Sequence, residues 1–239
     1  MAPMWSLTVT KASLFPRWRG RAWLVQTGCM APTKDEILAR VYGARTNEDL
    51  SEGYDGWAPD YNGDMERRGY RLPGMVTALT ARHVGTQEGP LLDAGAGSGL
   101  LGVWLRIVGY TDITGIDLSK GMLDLAEATG AYGALHRMTL GELLDFPDAA
   151  FAAVASAGAF GATHAPATGF DELLRITRPG GHLVLSVRVK DMAEKGFPAA
   201  IARLEQAGLW RLIETVGPFP AMPAEPESLY VVHVCRKAG

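Results

Sequence analysis

The sequence has 239 residues, a length that suits one large α/β domain with an appendage, because domains average roughly 150 residues. Hydrophobic residues make up 47% of the chain and charged residues 21%, which is ordinary globular usage and excludes a fibrous or largely disordered protein. The net charge of -3 creates no field that attracts polyanions, so we expect no nucleic-acid partner.

The apolar runs are too short to cross a membrane. The longest small and apolar stretch, residues 151–162, falls short of the about 20 residues that a membrane helix needs. Cys29 and Cys235 cannot form a disulfide framework, and no Cys/His cluster has the spacing of a metal site. We therefore expect a cytoplasmic protein with no membrane contact and no metal.

The first residues differ in composition from the rest of the chain. Residues 1–34 contain no acidic residue but include Arg17, Arg19 and Arg21. We predict that residues 1–32 are a disordered N-terminal extension. The alternatives are a mitochondrial-type targeting segment, a structured accessory, and a misassigned start upstream of Met30.

Residues 33–239 are predicted to form the folded domain, which begins with a helical lid at 33–88. A polar helical stretch after Thr33 leads to the segment 54–61, Tyr-Asp-Gly-Trp-Ala-Pro-Asp-Tyr. A second helix follows, because apolar residues recur at the helical spacing. These apolar residues are Met75, Val76, Leu79 and Val84.

Residues 89–239 alternate between strand and helix patterns, which predicts right-handed βαβ units and a mostly parallel sheet with helices on both faces. The predicted strands are 91–92, 113–116, 135–138, 151–155, 182–187, 209–216 and 229–235. Four helices are predicted: one covers 100–108, the second begins at 119, and the third covers 170–177. The fourth carries Phe197, Ile201 and Leu204 on one face. We expect the prolines between the last two strands to lie outside the sheet, in a long hairpin connection. They are Pro218, Pro220, Pro223 and Pro226.

The segment 93–99, Asp-Ala-Gly-Ala-Gly-Ser-Gly, lies between the first strand and its helix. Glycines at such a turn let the backbone approach a ligand closely and leave free amides aimed at its polar groups. Gly99 comes one residue earlier than the third glycine of the dinucleotide fingerprint GxGxxG, which disfavours a pyrophosphate ligand. Asp93 can accept hydrogen bonds from the loop amides and lie close to a cationic ligand. The alternative is that Asp93 only braces the turn.

An acidic residue ends the second predicted strand, eighteen residues after Gly99. At this position Asp117 can accept hydrogen bonds from both hydroxyls of a ribose, and its neighbour Leu118 can lie on an adenine face. We therefore predict an adenosine moiety in the ligand, although an isolated acid at a strand end is often only solvated. Ser119 fits the N-cap of the next helix.

These motifs resemble those of the class I S-adenosylmethionine-dependent methyltransferases. Residues 93–99 match the first family motif and residues 115–117 the second, while 151–160 and 178–183 resemble the fourth strand and the turn into the fifth. The resemblance implies an α/β fold with a Rossmann-like, seven-stranded, mostly parallel sheet whose last strand is antiparallel. It also implies an N-terminal helical lid and S-adenosyl-L-methionine as the cofactor.

Within that class, three further segments are similar to the Williams-Beuren-region methyltransferase-like proteins. These segments are 54–61, 139–141 and 204–210. The resemblance places Tyr54 and Tyr61 over the methionine end of the cofactor, although an aromatic stripe that also includes Trp57 can serve packing alone.

Many relatives carry an acid after the third strand, where this chain has Thr139 and Leu140, so backbone groups and the Thr139 hydroxyl would bind the adenine. The cofactor-binding residues that the resemblance implies are Tyr54, Tyr61, Asp93, Ala94, Gly95, Gly97, Gly99, Asp117, Leu118, Met122, Thr139, Leu140 and Ala157.

Methyl transfer is an in-line displacement on an activated cofactor, so the protein mainly positions the acceptor and excludes water. Where the acceptor must lose a proton, His164 is the candidate catalytic base, just beyond the fourth strand. Its alternative role is hydrogen bonding to the backbone or to the cofactor. We expect a small-molecule acceptor and a monomer or homodimer. Two other functions stay open, an NAD-dependent oxidoreductase and a non-catalytic cofactor- or partner-binding module.

Overall fold

The computed structural model of the protein describes residues 34–161 and 164–239. Three helices come first: α1 (Lys34–Gly43), α2 (Asn47–Arg68) and α3 (Leu72–His83). They occupy the region that the sequence predicts to be helical. The predicted N-terminal extension, residues 1–32, lies outside the described residues.

The remaining elements follow the predicted alternation. They are β1 (Leu91–Ala94), α4 (Leu100–Ile107), β2 (Ile113–Asp117), α5 (Lys120–Ala128), β3 (Ala134–Arg137), β4 (Phe151–Phe160), α6 (Gly169–Ile176), β5 (Thr177–Arg188), α7 (Val189–Met192), α8 (Phe197–Gln206), β6 (Trp210–Pro220) and β7 (Leu229–Lys237). The sequence does not predict the short helix α7. None of the helices in the described part of the chain is long and apolar enough to span a bilayer.

Within the described residues the strands form one seven-stranded sheet in the order β3-β2-β1-β4-β5-β7-β6. Neighbouring strands from β3 to β5 are parallel, and β7 is antiparallel to both β5 and β6. The predicted sheet and its antiparallel last strand are therefore confirmed. The strand order reverses between β1 and β4, and ligands of such sheets bind beyond the carboxyl ends of the strands at the point of reversal.

Side chains along the central strands alternate between two buried cores. Leu92 and Val154 belong to a cluster that includes residues of α6 and α8. Leu91 and Ala153, one position earlier in each strand, belong to a second cluster with residues of α3 and α4. Because successive side chains of a strand point to opposite faces, helices bury the sheet on both sides.

Aromatic rings fill the core beneath α6 and α8. The centroid of the Phe170 ring lies 4.9 Å from that of Phe160, 5.6 Å from that of Phe197 and 5.7 Å from that of Trp210. Phe170 is 1% exposed. Since aromatic side chains bury large apolar areas, this cluster anchors α6, α8 and β6 to the sheet.

Strand β4 continues to Phe160, beyond its predicted end at Ala155. Its register with β5 shifts between Ser156 and Phe160. At the shift, the Ser186 hydroxyl accepts a hydrogen bond from the Gly158 amide at 2.8 Å and donates one to the Ser156 carbonyl at 3.1 Å. A side-chain hydroxyl thus replaces ladder bonds that the irregularity removes. The run of alanine and glycine in this part of the sequence does not reveal the irregularity.

The prediction that the prolines lie outside the sheet is wrong for Pro218 and Pro220, which belong to β6. Strand β6 lies at the edge of the sheet, and its register with β7 shifts between Val216 and Phe219. Proline is tolerated at an edge strand or at a bulge, because no ladder hydrogen bond is required from its nitrogen there.

Helix α2 begins with a capping box formed by Thr46 and Asp49 and continues through Pro59. A proline inside a helix removes one backbone hydrogen bond. Packing along the helix compensates for that loss, because buried side chains of α2 contribute to a third apolar cluster. These side chains are Leu50, Trp57 and Met65.

We expect Phe170→Ala to destabilise the fold by about 3–5 kcal/mol, because it removes a large buried ring from a well-packed site. Urea unfolding monitored by circular dichroism measures the change. Leu143→Ala is the control, since Leu143 is 83% exposed and its loss should change stability by no more than about 0.5 kcal/mol. Equal losses for the two variants would contradict the core position of Phe170.

Candidate functional site

A cleft lies at the carboxyl ends of β1, β2 and β4. Its empty volume is about 860 Å³, including the part open to solvent. Most of the residues singled out in the sequence line it, namely Tyr54, Tyr61, Gly95, Gly97, Asp117, Leu118, Met122, Thr139, Leu140, Ala157 and His164. Asp93, Ala94 and Gly99 do not line the cleft.

The loop between β1 and α4 needs its glycines for conformation and for space. Gly95, Gly97 and Gly99 have φ values of 82°, 53° and 88°, a left-handed region that favours glycine. A Cβ atom at Gly95 would overlap the side chain of Ala159. Apart from its two chain neighbours, a Cβ atom at Gly97 would meet no atom of the described residues within 4 Å. Because Gly97 lines the cleft, the loop leaves room for a ligand at this point.

The amides of Gly95, Ala96 and Gly97 are engaged within the protein, and the expectation that the loop amides are free for a ligand is wrong for these three. The amides of Gly95 and Ala96 both donate to the carbonyl of Ile116, at 2.9 and 2.8 Å. The Gly97 amide donates to Oδ2 of Asp117 at 2.9 Å. These bonds tie the loop to the end of β2.

Asp117 ends β2 and reaches the cleft wall. Its Oδ2 atom accepts the Gly97 amide and its Oδ1 atom accepts the Ser119 amide, each at 2.9 Å. Burial raises the pKa of Asp117, and the backbone hydrogen bonds oppose that rise. Since each carboxylate oxygen can accept two hydrogen bonds, both oxygens keep acceptor capacity after these two bonds.

Asp93 does not accept the loop amides, and this expectation is wrong. The Asp93 side chain is fully buried, and its Oδ2 atom accepts the Tyr132 hydroxyl at 2.7 Å. The same hydroxyl accepts the Gly102 amide of α4 at 3.1 Å. Within the described residues, Oδ1 of Asp93 has no hydrogen-bond partner. Burial raises the pKa of Asp93 to about 7, and the charge of Asp117 adds to the rise. The arrangement fits the bracing alternative.

Ala94 and Gly99 support the glycine loop without lining the cleft. The Ala94 carbonyl accepts the Ser156 hydroxyl at 2.6 Å, which joins β1 to β4. Gly99 is the N-cap residue of α4, and a Cβ atom there would lie 3.0 Å from the Cα atom of Ala126 in α5. The absence of a side chain at Gly99 therefore lets α4 and α5 approach each other.

The cleft also has an apolar wall built from three parts of the chain. Leu118 follows β2, Met122 belongs to α5 and Leu140 follows β3, and all three line the cleft. Thr139 lies beside Leu140 on the same lining, and its carbonyl accepts the Glu142 amide at 3.2 Å. An apolar slot next to the Asp117 carboxylate suits a ligand with a flat ring joined to hydroxyl groups.

Helix α2 is bonded to the core beside the cleft. The Asp55 Oδ1 atom accepts the Ser119 hydroxyl at 2.6 Å and the Gly121 amide at 2.7 Å. It therefore supplies an acceptor for the N-terminus of α5, where Ser119 is the N-cap as predicted. The Ser98 hydroxyl of the glycine loop donates to Oδ1 of Asn62 at 2.6 Å. The helix thus forms a lid whose position is set by the elements that build the cleft.

Tyr54 of the lid meets His164, which follows β4. The Tyr54 hydroxyl lies 2.6 Å from Nε2 of His164. Burial, aided by the charge of Arg188, lowers the pKa of His164 to about 4, and burial raises the pKa of Tyr54. At neutral pH the imidazole is therefore uncharged and the phenol protonated, so the phenol can donate to Nε2.

The sequence does not predict the contacts of several site residues. Tyr70 follows the glycine that caps α2 and lines the cleft, and a Cβ atom at Gly158 would lie 2.6 Å from its hydroxyl. Asp55 lies in the segment 54–61 that carries the family resemblance, but its bonds to the N-terminus of α5 are visible only in the structure. The polar face of α2 is the sequence feature that points to Asn62.

Comparison with known proteins bears on this geometry. Residues 92–185 match the family model of a methyltransferase domain. Human Methyltransferase-like protein 27 is 38% identical over 184 residues, which cover 73% of this chain and 75% of that protein. A ubiquinone biosynthesis O-methyltransferase of Alkalilimnicola ehrlichii is 33% identical over 114 residues, or 44% of each chain.

A solved structure shows the same fold. Magnesium protoporphyrin IX methyltransferase from Synechocystis, with bound S-adenosylmethionine, has a TM-score of 0.59 and 18% identity, and the match covers 88% of this chain and 100% of that chain. The fold, the domain match and the identity to the human relative agree. This chain belongs to the class I S-adenosylmethionine-dependent methyltransferases.

Proposed function

We propose that this chain binds S-adenosylmethionine in the cleft and transfers its methyl group to a small-molecule acceptor. The observation that carries the proposal is the Asp117 carboxylate, which lines the cleft at the end of β2 and keeps acceptor capacity after two backbone bonds. This is the placement that recognises a ribose diol in α/β folds. Membership of the methyltransferase family supports the same ligand.

The residues present fit this cofactor. Asp117 would accept the ribose hydroxyls, and the room beside Gly97 would admit the chain that joins ribose to methionine. Tyr54 and Tyr61 would cover the methionine part from the lid, opposite Gly95 and Ala157. The apolar wall would hold the adenine. Its residues are Leu118, Met122, Thr139 and Leu140.

Asp93, Ala94 and Gly99 would act indirectly in this proposal. They hold the loop and the adjoining helices through the contacts with Tyr132, Ser156 and Ala126. Their substitution would therefore change the shape of the cleft without removing a group that touches the cofactor.

Bound S-adenosylmethionine would supply a methyl group made electrophilic by a positively charged sulfur. The protein contributes position and exclusion of water. Bonds from Asp55 and Asn62 hold the lid over the site. The rings of Tyr54 and Tyr61 line the cleft, and aromatic faces favour a nearby positive charge.

Tyr54 and His164 would accept a proton where the acceptor must lose one. The Tyr54 hydroxyl bonds to Nε2 of His164, so the acceptor's proton can pass to the Tyr54 oxygen while the phenolic proton passes to the imidazole. His164 is then the proton acceptor and Tyr54 the group that touches the acceptor.

Labelled cofactor tests the proposed function directly. The purified protein is incubated with a metabolite extract and S-adenosylmethionine that carries a deuterated methyl group. Mass spectrometry should find a metabolite with the labelled methyl and, in equal amount, S-adenosylhomocysteine. An extract without a labelled metabolite, despite tight cofactor binding, would contradict small-molecule transfer and favour the alternative of a non-catalytic binding module.

We expect Asp117→Ala to weaken S-adenosylhomocysteine binding by roughly 30-fold to 1,000-fold in calorimetry, because two charged hydrogen bonds to ribose are lost, or about 2–4 kcal/mol. The melting temperature should also fall modestly, since the Gly97 and Ser119 amides lose their acceptor. Asp124→Ala, an exposed acid that pairs with Lys120 on α5, is the matched control and should bind normally. Unchanged affinity in Asp117→Ala would refute the ribose assignment.

We expect the imidazole of His164 to titrate with a pKa of about 4 in a pH series of NMR spectra, with the signal assigned by its loss in His164→Asn. Between pH 6.5 and about 4 the unfolded chain binds a proton at this histidine and the folded chain does not. The folded state therefore loses stability relative to His164→Asn as the pH falls through this window. A titration midpoint near 6.5 would show that the imidazole is not held in a buried position.

A further inference from the structure

A second cavity adjoins the cofactor cleft. Both are lined by Tyr54, Tyr61, Tyr70, Gly158 and His164, so these residues form a wall common to the two. The empty volume of the second cavity is about 580 Å³, including the part open to solvent. A molecule bound there would lie next to the Tyr54–His164 pair, whereas Asp117 of β2 and Met122 of α5 line the first cavity and not the second.

Four of the nine other residues that line it are aromatic. Tyr42, Trp57, Phe160 and Tyr230 contribute from α1, α2, β4 and β7. The Trp57 ring packs 4.9 Å from that of Tyr61, edge to face, whereas Tyr42 is 48% exposed. Rings of this kind favour a flat aromatic molecule.

One guanidinium lies in this aromatic lining. Arg188, at the end of β5, lines the cavity, and its Nε and Nη2 atoms donate to Oδ2 and Oδ1 of Asp191 at 2.6 and 3.2 Å. Asp191 is 2% exposed. A guanidinium has five N–H donors, and Nη1 makes no hydrogen bond to the described residues. Asp191 therefore fixes the plane of the guanidinium and leaves donors for a ligand.

The ion pair lies close to the Tyr54–His164 pair. A Cβ atom placed on Gly161 would be 3.1 Å from Oδ2 of Asp191, 4.0 Å from the Cβ atom of Arg188 and 4.0 Å from Nδ1 of His164. The three side chains thus surround one point at the end of β4. A small aromatic molecule can therefore contact Arg188 at one end and Tyr54 at the other.

The unused hydrogen-bond donors at the cavity favour an anion over a cation. Burial raises the pKa of the Tyr230 hydroxyl to about 12, Arg188 opposes that rise, and Asp191 and Glu225 add to it. Each of these two carboxylates is paired with an arginine: Asp191 with Arg188, and Glu225 with Arg68 at 2.6 Å. An ammonium ligand would have to compete with a bound arginine for either carboxylate. A monoanionic ligand would meet unused donors of Arg188 instead.

We propose that the second cavity binds the methyl acceptor, and that Arg188 selects a planar aromatic molecule carrying one anionic oxygen group, such as a carboxylate. Asp191 is a positioning residue for that guanidinium. The inference rests on the proposed function, because an acceptor presupposes the cofactor in the adjoining cleft.

Three probes of equal ring size test the selection. The full chain, saturated with S-adenosylhomocysteine, is titrated with benzoate, benzamide and benzylamine and followed by NMR. We expect benzoate to bind at least about tenfold more tightly than benzylamine, with benzamide between them, because a charged hydrogen bond contributes about 1.5 kcal/mol or more.

Paired variants isolate the guanidinium. Arg188→Gln alone leaves the buried Asp191 carboxylate without its partner and can destabilise the fold, so the double variant Arg188→Gln/Asp191→Asn removes both charges together. It should lose the preference for benzoate while binding S-adenosylhomocysteine as before. The matched control is Arg203→Gln/Asp171→Asn, which neutralises an exposed pair between α8 and α6 and should keep the preference.

Three results would overturn the inference: benzylamine binding as tightly as benzoate, a benzoate preference that persists in the Arg188→Gln/Asp191→Asn variant, or no binding of any probe to a protein that binds S-adenosylhomocysteine. Failure to bind S-adenosylhomocysteine at all would instead reject the proposed function. The two failures are therefore distinguished by one calorimetric measurement made before the probes are added.

Discussion

The hydrogen bonds of Asp117 to the backbone hold together the parts from which the cleft is built. One carboxylate oxygen takes the amide of Gly97 in the glycine loop, and the other takes the amide of Ser119 at the start of α5. The Ser119 hydroxyl then donates to Asp55 of the lid. Because bonds to an ionised acceptor are about twice as strong as neutral ones, Asp117 links the sheet firmly to the loop and to α5, and Ser119 extends that link to the lid.

Helix α2 serves the site with two groups of side chains. Ser51, Asp55 and Asn62 bond to the carbonyl of Leu118, to the N-terminus of α5 and to the glycine loop. Tyr54 and Tyr61 form the second group, and they line both cavities. Residues three or four apart share a side of a helix. Helix α2 therefore both closes the cleft and forms the wall toward the second cavity.

Burial favours the uncharged forms of both the acids and the histidine near the site. It raises the pKa of Asp93 and Asp117 and lowers the pKa of His164, since desolvation disfavours the charged form of each group. A ligand with a positive charge would offset the cost for Asp117, which lines the cleft. The electrostatics therefore suit a cationic ligand beside Asp117 and leave His164 uncharged at neutral pH.

The sequence by itself determined the succession of strands and helices, the glycine loop and the position of Asp117 at a strand end, because these depend on local periodicity and spacing. Only the tertiary structure decided that Tyr132 rather than a loop amide bonds to Asp93, that Pro218 lies in an edge strand, and that Arg188 faces the same cavity as Tyr42 and Tyr230. These contacts join residues that are far apart in the chain. Each depends on how helices and strands pack, and no pattern within a short segment records that packing.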